Sequence, residues 1–312
     1  MLFAFVAAAA QSPWQKTLYW AYAVNPPDAG AAKSAPATLR RVPNSDAAFT
    51  DAQIGDLFGV PDWHVSEHPP MPDVVAHGRK PDVFACAYCH LPNGEGRPEN
   101  STLAGLSAGY IIRQLQDFKT GARKCSEPLF KPAANMPRIA VAASDQEIRA
   151  AARYFSEMRP KPWIRVVETS TVPVTHVSGW MLVPSNPSAA EPIGERIIEM
   201  PENVERTELR DDDSGFVAFV PEGSLKAGKL LVTAGGKGKT VACAKCHGPG
   251  LRGSGNVPAI AGRSPSYIVR QLYDIQSGAR SGVASRQMRR PVANLKTDDM
   301  IAIAAFVSSL RP

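Results

Sequence analysis

The chain has 312 residues, 44% of them hydrophobic and 21% charged, with a formal net charge of +6. That length leaves room for two or three domains, and the composition excludes a fibre, a collagen and a chain disordered throughout. The longest purely apolar run, Leu2 to Ala10, falls far short of the roughly 20 residues of a spanning helix, so the body of the protein is expected to lie outside the membrane.

Residues 1–72 open the chain. Leu2 to Ala10, followed by Gln11, resembles the apolar core and small-residue cleavage site of an export signal, but no Lys or Arg precedes it. The segment reads as an incomplete export signal and predicts a periplasmic, oxidising location. The rest of this stretch is rich in Pro, Ala and aromatics with little periodicity, which predicts an extended arm wrapping the first domain. Its Trp63-His64 and His68-Pro69-Pro70-Met71 offer soft and imidazole donors of the kind that hold copper. Solvated or capping histidines in a proline-rich turn are the plainer expectation.

The next segment, 73–160, contains Cys86-Ala87-Tyr88-Cys89-His90, and 224–312 contains Cys243-Ala244-Lys245-Cys246-His247. Each is the Cys-x-x-Cys-His pattern of covalent haem attachment. Two thiols three positions apart add to the two vinyl groups of one porphyrin, and the adjacent His offers an imidazole nitrogen to the iron. From five Cys and six His in the chain, chance predicts roughly 0.0015 such matches. A thiol-disulfide pair has no need of the trailing His, and a zinc site would use both pairs together.

The two motifs are part of an internal repeat. Gly78 and Gly235 each lie eight residues before the first motif cysteine, and Tyr110 and Tyr267 each lie twenty past the motif His. From these tyrosines to Arg123 and Arg280, nine of fourteen residues are identical. Each copy, about 85 residues long, is large enough to close a core around its own haem. The tyrosine segments read as helices, with Tyr110, Ile111, Leu115 and Phe118 on one face, Ser264-Pro265 as a start signal and Gly121 and Gly278 as stops. A last helix is predicted from about Ser144, with a Ser-x-x-Glu147 capping box, to Met158, and again from about Thr297 to Leu310. Between the copies, residues 161–223 carry strand-favouring runs at Trp163 to Glu168, Gly179 to Val183 and Gly215 to Val220, which predict a short strand-bearing insert.

The arrangement resembles the two-domain, dihaem class I cytochromes c of the c-four type. The resemblance implies a mainly α fold of two tandem cytochrome c domains, two covalently bound haem c groups, and His and Met as axial ligands. Carried onto this chain, the proximal ligands are His90 and His247 and the distal candidates are Met136 and Met288. The repeat reaches the same methionines: each lies 24 residues before the proline that ends its copy. A thioether favours ferrous iron and raises the potential. Core packing is the competing role, and it suits Met158 and Met300, which sit within helical patterns. Cys125 lies in the first copy alone, where a thiolate would compete for iron and a buried thiol or an intermolecular disulfide is the ordinary expectation. In the resembled family a proline carbonyl accepts the second N–H of the haem His. Pro258 fits that role, but Ser101 stands at the matching offset in the first copy, which leaves its acceptor open.

Charge is uneven: −2 over 1–72, +3 over 73–160, −6 over 161–223 and +11 over 224–312. Basic runs also suit nucleic acid, but this one has no aromatic-interleaved reading surface. The expectation is an acidic redox partner steered onto the second domain, with a membrane-bound oxidase, reductase or dehydrogenase as candidates. The sequence therefore predicts a single-electron carrier rather than an enzyme; a dihaem peroxidase or thiosulfate-oxidising cytochrome, or the cytochrome subunit of a membrane dehydrogenase, is the alternative.

Overall fold

The computed structural model describes residues 18–26, 38–186 and 188–312, so the apolar run predicted as an export signal lies outside the described residues. Two helical domains flank a small β insert. No helix among the described residues is long and apolar enough to cross a membrane.

In the first copy the terminal helix, Asp145–Glu157, starts at the capping box read from the sequence: Ser144 and Glu147 satisfy each other's backbone N–H groups. It buries Ile148, Ala151, Ala152, Tyr154 and Phe155, the spacing of one helical face. Glu147 also receives a forked bond from Arg79, Nε to Oε1 at 2.9 Å and Nη2 to Oε2 at 3.2 Å. That bond, with the Ser144 donors, holds the Glu147 carboxyl at about 2. A carboxyl depressed on folding stabilises the fold above its unfolded value and loses that contribution as pH falls through the folded one. The stability gap between wild type and R79Q is therefore expected to close as pH falls from about 5 to about 2 in urea titrations.

The tyrosine helices are Ala108–Lys119 and Pro265–Gln276, capped by Ser107 and Ser264, whose hydroxyls accept from the N–H of Tyr110 and Tyr267. In the second copy a further helix, Ser224–Ala234, crosses the terminal helix Thr297–Ser308. Gly228 marks the crossing. A Cβ there would stand 1.9 Å from the carbonyl oxygen of Ala302, so only glycine lets the two backbones approach. The first copy keeps one turn of this helix, Asp73–Ala76. Pro69, Pro70 and Pro72 remove the N–H donors and clash with a helical path, so its earlier turns cannot form.

In the insert, Ile164–Glu168 runs parallel to Phe216–Val220, which pairs antiparallel with Ile198–Pro201. The central strand is nearly all buried, as a strand covered on both faces requires. The run predicted at Gly179 to Val183 becomes the strand Met181–Pro184, and Gly179 and Trp180, both with positive φ, form a tight hairpin turn instead.

The arm departs from its prediction in one respect. It does not simply wrap the first domain: Leu18, Trp20, Ala21 and Tyr22 are buried in the core cluster of the second copy, and Arg270 donates from Nη1 to the Ala21 carbonyl at 2.6 Å. Further along, Val42, Ile54 and Trp63 share a small core with Leu209 of the insert, and Trp63 Nε1 donates to the Leu209 carbonyl at 2.8 Å. Apolar side chains follow whichever surface leaves most area to cover, which arm composition alone does not specify.

Candidate haem sites

Each motif forms a short helix, Cys86–His90 and Ala244–His247, the latter capped by Cys243. One helical turn places two thiols three positions apart on the same side, with the histidine beside them. His90 Nδ1 lies 2.8 Å from the Ser101 carbonyl and His247 Nδ1 lies 2.8 Å from the Pro258 carbonyl, each acceptor eleven residues on. The sequence left the first acceptor open because Ser101 is not proline. The acceptor is a backbone carbonyl, which any residue supplies, and here the two copies agree. With the proton on Nδ1, each Nε2 keeps its lone pair for a metal. Burial holds His90 down to about 4 and lowers His247 as well, so both rings are neutral at neutral pH, the form that ligates iron.

The first site is a largely apolar cavity with about 1340 Å³ of empty space, part of it open solvent, which gives room for a porphyrin. Cys86, Cys89, His90 and Met136 all line it. Met136 stands within a helix, Lys131–Ala142, followed directly by Pro137. Met288 instead ends a 3-10 turn, Val283–Met288, and packs on the same apolar cluster as Cys243 and Ile260. The methionines equivalent in the repeat thus sit in different local structures. Met158 and Met300 are core residues. Cys125 also lines the first cavity. Burial, and then the nearby Asp274 carboxylate, push its thiol up to about 12, so it stays protonated rather than competing as a thiolate.

The copper donor set is not assembled. His68 uses both nitrogens locally, Nε2 with Asp62 Oδ1 at 3.0 Å and Nδ1 with the Pro69 carbonyl at 2.9 Å. His64 is buried against Asp211, and Met71 packs on the first core. Neither histidine is simply solvated: His68 pairs with Asp62, six residues before it, and His64 meets the carboxylate of Asp211 from the distant insert.

What the sequence missed is the contact between the copies. Arg123 donates to Gln114 Oε1 of its own copy, and to the Tyr267 hydroxyl and Gln271 Oε1 across the interface, at 3.0, 3.1 and 3.1 Å. Arg280 mirrors it, donating to Gln271, to the Tyr110 hydroxyl and to Gln114 at 3.0, 2.9 and 2.8 Å. Backbone bonds Lys124 N–H to the Ala279 carbonyl and Ser281 N–H to the Ala122 carbonyl complete a two-fold arrangement. Tyr267, Arg270, Gln271 and Asp274 of the second copy also line the first cavity. The signal was in the repeat, whose shared residues include polar Tyr, Arg, Gln and Asp where a lone domain needs none.

A surface insert also meets the first motif. Arg210 stacks on Tyr88, 3.5 Å from the ring centroid, and donates to the Tyr88 carbonyl at 2.7 Å, while Asn93 Nδ2 donates to the Asp212 carbonyl at 2.6 Å. In the second motif Lys245 and Cys246 are exposed.

Two thiol-and-histidine motifs on paired helical domains define a covalent dihaem protein that passes single electrons. The cytochrome c family model matches residues 78–159 and 226–311, more than half of the chain, and the chain belongs to that family. It is similar to the thiosulfate dehydrogenase electron acceptor of Stutzerimonas stutzeri, 28% identical over 75% of this chain and 82% of that protein. It is also similar to cytochrome c4 of Azotobacter vinelandii, 27% identical over 72% of this chain and 84% of that one. The solved cytochrome c4 of Acidithiobacillus ferrooxidans is 22% identical, with 72% of this chain and 98% of that chain covered and a TM-score of 0.47. The protein is a c4-type dihaem electron carrier with two covalently bound haem c groups and redox proteins as partners.

Proposed function

We propose that Cys86 and Cys89 carry one haem and Cys243 and Cys246 the other, with His90 and Met136 on the first iron and His247 and Met288 on the second. The chain then works as an exported, periplasmic carrier and not as an enzyme. Each haem supplies a reversible one-electron couple when bound. The carrying observation is the paired histidine geometry: His247 is buried and His90 half-buried, and both rings are neutral and fixed through Nδ1 to a carbonyl eleven residues on. Met136, lining the same cavity as His90, supplies a neutral soft donor that favours ferrous iron. Ferric absorption spectra test the assignment. Wild type is expected to show two sulfur-to-iron bands in the red, one lost in M136A and the other in M288A. An iron that lacks this band in wild type and binds cyanide readily overturns the carrier reading in favour of a dihaem enzyme.

The donor is a sulfur-compound dehydrogenase of the kind served by the Stutzerimonas relative, and the acceptor is a respiratory oxidase or reductase. The acidic partner docks on the second domain. Two observations support this: the basic charge is concentrated there, and Arg210 with its loop covers the first motif while the second stays open. K245E is expected to slow electron transfer with such a partner roughly fivefold at low salt and much less at high salt. K80E, on the first domain, leaves the rate unchanged. A rate indifferent to both salt and K245E removes the docking assignment.

A further inference from the structure

The arm and the insert meet at a buried cluster that neither haem site uses. His64 Nε2 lies 3.0 Å from Asp211 Oδ1 and 3.9 Å from both Asp212 Oδ1 and Asp213 Oδ2. The side chains of His64, Asp211 and Asp212 are 3%, 0% and 2% exposed. Asp211 is well supplied with donors: its Oδ1 accepts the Asp213 N–H at 3.0 Å and its Oδ2 accepts Arg206 Nε at 2.6 Å. Asp212 is not. Its Oδ1 is buried and has no hydrogen-bond partner, although it faces the ring nitrogen of His64. A carboxylate oxygen withdrawn from water in this way is unfavourable unless a cation meets it.

We propose that His64, Asp211 and Asp212 form a binding site for one divalent transition-metal ion of the zinc type, with Asp213 as a further donor. The spacing fits. Donors about 2.1 Å from a tetrahedral ion lie about 3.4 Å apart, and the observed 3.0 and 3.9 Å bracket that value. Charge fits as well. Asp211, Asp212, Asp213 and Glu67 bring four negative charges around His64, whereas Arg206 and Lys161 return two positive ones. A divalent ion with neutral His64 closes the difference. An imidazole with carboxylates suits zinc, while calcium and magnesium favour all-oxygen sets. The ion would also fasten the turn that carries Arg210 and Asp212 onto the first haem motif, since that turn already holds Tyr88 and Asn93.

The test titrates the chelator-treated holoprotein with Zn²⁺ alone, reading zinc per haem iron after dialysis and the thermal midpoint. One zinc per two haem irons and a raised midpoint are expected for wild type, with affinity at least tenfold weaker in H64Q and in D212N. D212N keeps the side-chain volume and its haem spectrum reports folding, so lost binding is separable from lost structure. No zinc retained by wild type, or retention unchanged in both variants, overturns the site.

Discussion

Replacing Arg280 with leucine is expected to cost about 3 kcal/mol in urea unfolding, and R123L a similar amount. Both guanidinium groups are buried between the copies, and each serves three acceptors at 2.8 to 3.1 Å. A net hydrogen bond is worth about 1 kcal/mol, and a buried acceptor left without its donor costs more. The two losses are not independent. Gln114 and Gln271 each accept from both arginines, so the second substitution removes bonds to groups already compromised. The double variant is therefore expected to cost less than the sum of the singles, by about 1 kcal/mol or more. Additive effects each below about 1 kcal/mol would show that the network is incidental to the contact.

Local chemistry was legible in the sequence, whereas long-range pairing was not. The motif helices, the Ser144 and Ser264 caps and the glycine stops involve residues within five positions of one another, so spacing alone determines them. Ser101 shows where residue identity misleads: its carbonyl, not its side chain, meets His90, and a backbone acceptor leaves no mark in the sequence. The parallel pairing of Ile164 with Phe216 spans a whole insert, and the burial of Leu18 to Tyr22 against the second copy spans most of the chain. Hydrophobicity drives such contacts without naming the partner. His64 is the sharpest case. Its neighbours Asp211 and Asp212 lie 147 and 148 positions away, and nothing near Trp63-His64 announces three carboxylates.

The substitution G228A is expected to lower the thermal midpoint of the second haem domain by about 12 °C or more, and to leave the first nearly unchanged. A Cβ at this position would stand 1.9 Å from the Ala302 carbonyl oxygen and 2.7 Å from both its carbon and the Phe306 Cβ. Backbone atoms on both sides leave nothing flexible to yield, so the helices Ser224–Ala234 and Thr297–Ser308 must move apart. Overpacking of this kind costs about 3 kcal/mol or more. The terminal helix it displaces is buried nearly all round and carries Met300, Ile301, Ile303 and Ala304 into the core, so the damage spreads through the domain. The aligned position of the first copy is Met71, where the flanking prolines prevent a helix and no such crossing exists. M71A should therefore cost only what its partial packing on the first core contributes, about 1 kcal/mol. On the proposed Met136 and Met288 ligation, melting followed through the two sulfur-to-iron bands separates the domains directly. Loss of the Met288 band well ahead of the Met136 band in G228A is the expected order, and simultaneous loss would mean that the Arg123 and Arg280 interface binds the domains into one unfolding unit.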